Sequence, residues 1–124
     1  MVKRPSRQEV GKTGEQQAAL YLEKRGYRIL ERNWRCRSGE LDLIAEADHS
    51  LVMIEVRSRT GSGFGTAAES IDARKINQVR STAAIYVHQT GFHNQDRSLR
   101  FDVITVQFGR FPLEFEIQHI ISAF

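Results

Sequence analysis

Cysteine is nearly absent from this sequence: Cys36 stands alone among 124 residues, which excludes an internal disulfide and any metal site built on several thiolates. No run approaches the roughly 18 consecutive apolar residues that a membrane span requires. The opening MVKRPSRQEVGKTGE also lacks an apolar segment of the signal-peptide kind. The expectation is a cytoplasmic chain. There are no internal repeats and no low-complexity linker, and His49, His88, His93 and His119 lie in separate elements without metal-ligand spacing. They read as surface or interface residues. GSGFG lacks the dinucleotide-fingerprint spacing, and no Walker lysine follows it.

What is present suits one compact core: 40% of the residues are hydrophobic, and the length is too short for two comfortable domains. Residues 1–12 read as a basic flexible arm and 13–124 as a single domain. The net charge is only +3, yet the cations cluster. Lys3, Arg4, Arg7 and Lys12 share the first dozen residues, and Arg28, Arg32, Arg35 and Arg37 follow within a short span. Such clusters suit a polyanion, because neutralising phosphates releases counterions, although solvated charged faces are common in any protein.

Thr13 and Gln16 form a capping-box pattern, and Ala18, Ala19 and Leu22 recur at helical spacing up to Gly26, which predicts a helix over 14–25. YRILERNWR, GELDLIAEA and LVMIEVRSR read as a three-stranded meander. TGSGFGTAA reads as a mobile loop, with Phe64 as a base-stacking or packing residue. Ser70 or Asp72 can cap a second helix whose inward stripe is Ile76, Val79, Ala83 and Tyr86. LRFDVITVQF is a fourth strand, and FEIQHIISAF suits either a short strand or a helix. The order α-β-β-β-α-β predicts an α/β fold with a mixed β-sheet flanked by helices.

Three acids interrupt the central strands. Alternation sets Glu40, Asp42 and Ile44 on one face of the second strand, with Leu41, Leu43 and Ala45 opposite. On the third strand Glu55, Arg57 and Arg59 share a face. A hairpin centred on Asp48 and His49 puts Asp42 directly opposite Glu55 and Glu40 opposite Arg57. Facing carboxylates about 5 Å apart repel, so a shared proton, nearby arginines or a divalent cation must offset them. Two oxygen ligands at this spacing suit Mg2+ or Mn2+. The alternative is a surface ion pair between Glu40 and Arg57 on an open sheet, against which the apolar richness of these strands argues. Glu15 falls on the inward stripe of the first helix, and its simpler role is to complement the positive helix terminus. Trp34 and Tyr27 read as core aromatics or nucleic-acid contacts. Asp102 reads as a partner of Arg100 or of a nearby helix.

An acid on a first helix, then GELDLIA, then IEVRSR resembles the restriction-endonuclease-like nuclease superfamily. GKTGEQQAALYLEKRGYRILERNWRCRSGELDLIAEADHSLVMIEVRSR, with ARKINQVRSTAAIYV and RFDVITV, resembles more closely the bacterial YraN family, itself similar to Holliday-junction resolvases. This resemblance implies a restriction-endonuclease-like fold and a metal-dependent nuclease acting on DNA, on branched or single-stranded substrates, with Mg2+ or Mn2+ as cofactor. It puts the metal-binding acids at Asp42 and Glu55, the helix acid at Glu15 and the motif lysine at Arg57. Guanidinium stays charged at any working pH, so Arg57 supplies charge and hydrogen bonds but no base. Lys75 is a second source of an amine, or an ordinary exposed helix lysine. Arg35, Arg37, Arg59 and Lys75 are the expected nucleic-acid contacts. A homodimer is expected because resolvases act on two-fold junctions. The competing expectation is a nucleic-acid-binding module with a degenerate centre, and another is a protein-interaction domain that keeps only the fold.

Overall fold

The computed structural model describes residues 4–61, 71–92 and 97–124. Phe64, Ser70 and His93 lie outside that set, and with them most of the loop expected over TGSGFGTAA. Helix α1 (Arg7–Lys24) begins earlier than its expected start at residue 14. Ser6 rather than Thr13 is the cap: its Oγ accepts from the Glu9 amide at 3.1 Å, and the Glu9 carboxylate accepts from the Ser6 amide. Both segments carry a capping-box signature, and the earlier one prevails because it extends the helix to bury Val10. Arg7 to Lys12 are therefore helical, not part of an arm.

Strands β1 (Arg28–Cys36), β2 (Gly39–Ala47) and β3 (Ser50–Thr60) form the expected antiparallel meander. Helix α2 (Ala73–Thr90), capped by Asp72, crosses over to β4 (Ser98–Phe108), which runs parallel to β3. The unassigned C-terminal segment is a strand, β5 (Phe115–Ile120), antiparallel to β4 at the sheet edge. The result is a five-stranded mixed sheet in the order β1-β2-β3-β4-β5 within an α/β fold, α-β-β-β-α-β-β.

Each face of the sheet buries its own cluster. Val10, Ala18, Ala19 and Leu22 of α1 pack on Leu43, Ala45, Val52, Ile54 and Ile104. Val79, Ala83 and Tyr86 of α2 pack on Leu41, Ile44, Leu51 and Met53. Ile76 is only half-buried, and Thr82 takes a buried place on the α2 stripe instead. Burying these side chains contributes roughly 1.5–3 kcal/mol for each large aliphatic one. Where α1 crosses β3 no side chain intervenes: a Cβ at Gly14 would lie 1.7 Å from Ser58 Oγ.

Three further residues are explained by their packing. Asp102 is fully buried and accepts from the Arg100 guanidinium at 2.9 and 2.8 Å and from the Ser122 amide at 3.0 Å, with His119 Nε2 at 2.7 Å. Burial alone would raise its pKa, but His119, Arg100 and Ser122 outweigh burial and lower it. His119 is thus a core residue rather than a surface one, packed edge-on against Tyr21 and Tyr27. Trp34 is half-buried against the α2-side cluster, set edge-on to Tyr86 at 5.1 Å.

Candidate metal and phosphate site

The hairpin turns where alternation puts it, at Asp48, whose positive φ of 53° an aspartate tolerates. Pairing then runs from Ala47↔Ser50 to Leu43↔Ile54. One further step in that register would oppose Asp42 to Glu55, and there the ladder ends. The Val56 amide donates instead to Asp42 Oδ2 at 2.9 Å, so a side chain has replaced a backbone acceptor and the strands part around two carboxyl groups.

This opening also breaks the alternation of β2. Leu41 joins Ile44 in the α2-side cluster while Leu43 and Ala45 join the other, which corrects the expectation that Leu41, Leu43 and Ala45 share a face. On β1, a register shift between Ile29 and Glu31 and a positive φ of 50° at Asn33 accompany the break. Glu40 does not face Arg57. Its carboxylate takes a hydrogen bond from Asn33 and lies 3.4 Å from Arg35 Nε, because β2 stays paired to β1 down to Gly39 after leaving β3.

Four acids converge near this opening. Asn33 Nδ2 donates to Glu15 Oε1 and Glu40 Oε1, each at 3.1 Å. Glu15 has its pKa raised, by burial first, with repulsion from Asp42 and Glu40 adding and the Asn33 bond opposing. Asp42 is raised by burial against the opposing Val56 bond. Glu55, only 3% exposed, is pushed up to about 8, by burial and then by the Asp42 charge, with Lys75 and Arg57 opposing. Burial thus pushes both carboxyl groups of the pair toward their protonated forms, Glu55 the more strongly.

Lys75 Nζ lies 3.7 Å from Glu55 Oε2 with the side chain 31% exposed, so the first turn of α2 delivers an amine to the acids. Arg57 Nε is buried without a hydrogen-bond partner among the described residues, as is Glu55 Oε1. Arg59 is exposed at the end of β3, and Arg37 is exposed in the β1–β2 turn. Asn33 was not legible as a site residue. Its one local signal was a turn-favouring residue in the middle of a strand.

Asp42 and Glu55 are hard oxygen donors, and the orphaned Glu55 Oε1 is an acceptor lacking a donor or cation. That set fits Mg2+ or Mn2+, which retain several waters. Among the described residues no three His, Cys, Asp or Glu side chains group closely enough to hold a metal, so Glu15, engaged with Asn33, is not a third ligand in this arrangement. No helix among the described residues is long and apolar enough to cross a membrane.

Comparison with known proteins adds a family. The model of the uncharacterised protein family UPF0102 matches residues 14–106, a span that includes Glu15, Asp42, Glu55, Arg57 and Lys75. The chain is 38% identical over 124 residues to a UPF0102 protein of Caldanaerobacter subterraneus subsp. tengcongensis, covering 99% of this chain and 100% of the relative. It is 44% identical over 119 residues to one from Pelotomaculum thermopropionicum, covering 96% and 98%. A third relative, from Moorella thermoacetica, is 46% identical over 105 residues, covering 85% and 86%.

Proposed function

We propose, from the premise that the chain belongs to the uncharacterised protein family UPF0102, that it is a metal-dependent nuclease hydrolysing phosphodiester bonds in DNA. The observation that carries this reading is the pairing of half-buried Asp42 with buried Glu55, set where β2 and β3 part and faced by Lys75. Asp42 and Glu55 would hold Mg2+ or Mn2+, which supplies Lewis acidity and a water acidified for attack on phosphorus. Val56 fixes Asp42 through its amide. Asn33 fixes Glu15, which orients water on the α1 side. Lys75 stands in for the motif lysine as the group that positions the attacking water. Arg57 balances charge as it develops on the phosphate.

The test is cleavage of labelled duplex, single-stranded, flap and four-way-junction DNA with Mg2+ or Mn2+, comparing wild type with Asp42→Asn and Glu55→Gln. Cleavage by wild type and at least a hundredfold loss in both variants is expected, since each removes a charged oxygen ligand. The second reading is a nucleic-acid-binding module with a silent centre, favoured by arginine at position 57 and by the absence of a third ligand among the described residues. It predicts binding without cleavage, unchanged by either substitution.

A further inference from the structure

Three concavities lie between Lys75, the neighbour of Glu55, and the far end of β3. The first, about 330 Å3, has Arg57, Arg74 and Lys75 in its wall. The second, about 630 Å3, lies between the start of α1 and the end of β3 and is walled by Arg7, Arg57 and Arg59. The third, about 650 Å3, has Arg4, Arg110, Phe111 and Leu113. Arg57 is common to the first two, and Pro5 and Thr60 to the last two. Through these shared residues the three adjoin one another as a segmented basic trough along β3.

The charge of this trough is of one sign. Asp72 is the single carboxylate in its described walls, and one of its oxygens is engaged in capping α2 through the Lys75 amide at 2.9 Å. Arg7, Arg59 and Arg74 have no carboxylate partner among the described residues, whereas Arg110 pairs with Glu114 at 2.6 Å. Glycine at position 11 leaves open space above the second cavity. At the far end the lining turns apolar, with Leu113 84% exposed beside Phe111.

We infer that this trough carries a single strand of nucleic acid to the carboxylate site, an inference that rests on the nuclease reading and names its substrate class. A single strand offers phosphates along one edge and unstacked bases along the other, which matches an arginine wall that ends at the exposed Leu113 beside the partly buried ring of Phe111. A duplex hides its bases and gains nothing from Phe111 and Leu113. An anionic membrane surface would engage the arginines without needing a channel that ends at buried acids.

The test is fluorescence anisotropy on the full chain in EDTA, with a labelled oligothymidylate, a matched duplex and phosphatidylglycerol vesicles. The variants are Arg7→Ala/Arg59→Ala and Arg110→Ala, each checked for wild-type circular dichroism. Wild type binds the single strand more tightly than the duplex. The double substitution lowers the slope of log Kd against log salt by about 1.4, as expected for two lost single-strand phosphate contacts, and Arg110→Ala lowers it by about 0.7. An unchanged slope in the double variant, tighter duplex binding, or a loss confined to vesicles overturns the inference. Because binding is read without metal, a chain that binds this way yet never cuts refutes only the nuclease. A chain that cuts with the trough variants unimpaired in binding refutes only the trough.

Discussion

Replacing Glu55 by glutamine should stabilise the metal-free protein, and increasingly so as pH rises. In the folded chain the Glu55 carboxyl keeps its proton up to about 8, whereas its ordinary value is 4.5. The folded state therefore binds the proton more tightly than the unfolded state. The stability this gives is fully present below the ordinary carboxylate range, drains away as pH climbs from 4.5 to about 8, and is gone above that. The whole displacement corresponds to about 5 kcal/mol. That value already includes the opposing charge of Lys75 at 3.7 Å, and because Asp42 titrates together with Glu55 about 2–4 kcal/mol is the expected change. Urea unfolding followed by far-ultraviolet circular dichroism, in EDTA from pH 5 to 9, measures it. Glu55→Gln should match wild type within about 1 kcal/mol at pH 5 and exceed it by about 2–4 kcal/mol at pH 8.5, because the amide does not titrate. Adding Mn2+ at pH 8.5 should raise the wild-type midpoint and leave the variant's in place. Parallel pH profiles for the two proteins would refute the reasoning, since they would mean that Glu55 titrates as it does in the unfolded chain.

Gly14→Ala puts a methyl group 1.7 Å from Ser58 Oγ and 2.7 Å from Ser58 Cβ, so it should cost about 1–3 kcal/mol in urea unfolding despite alanine's better helix propensity. Adding Ser58→Gly should restore most of that loss; no rescue would mean that the two elements do not meet there. Asp102→Asn leaves Arg100 and His119 facing a neutral group and should lower stability at pH 7 by about 3–5 kcal/mol. Asp102 has a lowered pKa, so the stability it adds lies above the ordinary carboxylate range and is lost as pH falls through and below it. An acid titration of thermal midpoints should show that loss in wild type and a flatter profile in the variant.

Local patterning carried the meander and the crossover helix because their signals are short-range: alternation, a turn at Asp48, a cap at Asp72. It also carried the β2–β3 register, since a one-residue slip would have turned Leu43, Ile44, Val52 and Met53 to the wrong faces. The start of α1 was not legible. Ser6–Glu9 and Thr13–Gln16 spell the same signature, and the choice between them depends on the sheet that receives Val10. β5 was ambiguous because it is a short edge strand whose pairing lies entirely with β4. Of the candidate site, alternation and the hairpin register placed Asp42 and Glu55 near each other, and that register holds as far as Leu43↔Ile54. Asn33 acts only by bridging acids 18 and 7 residues away, and the partners of Asp102 at 119 and 122 are equally remote. Such contacts exist only once the chain has closed on itself.

The bond from Val56 to Asp42 links the chemistry of the site to the main chain. A cation or a proton that draws on the Asp42 carboxylate competes with a backbone donor for the same oxygen lone pairs. The Val56 peptide stands between Glu55 on one side and Arg57 on the other, so loosening it shifts an acid and a cation together. Solvent exchange at that single amide thereby becomes an internal gauge of occupancy, written into the strand itself.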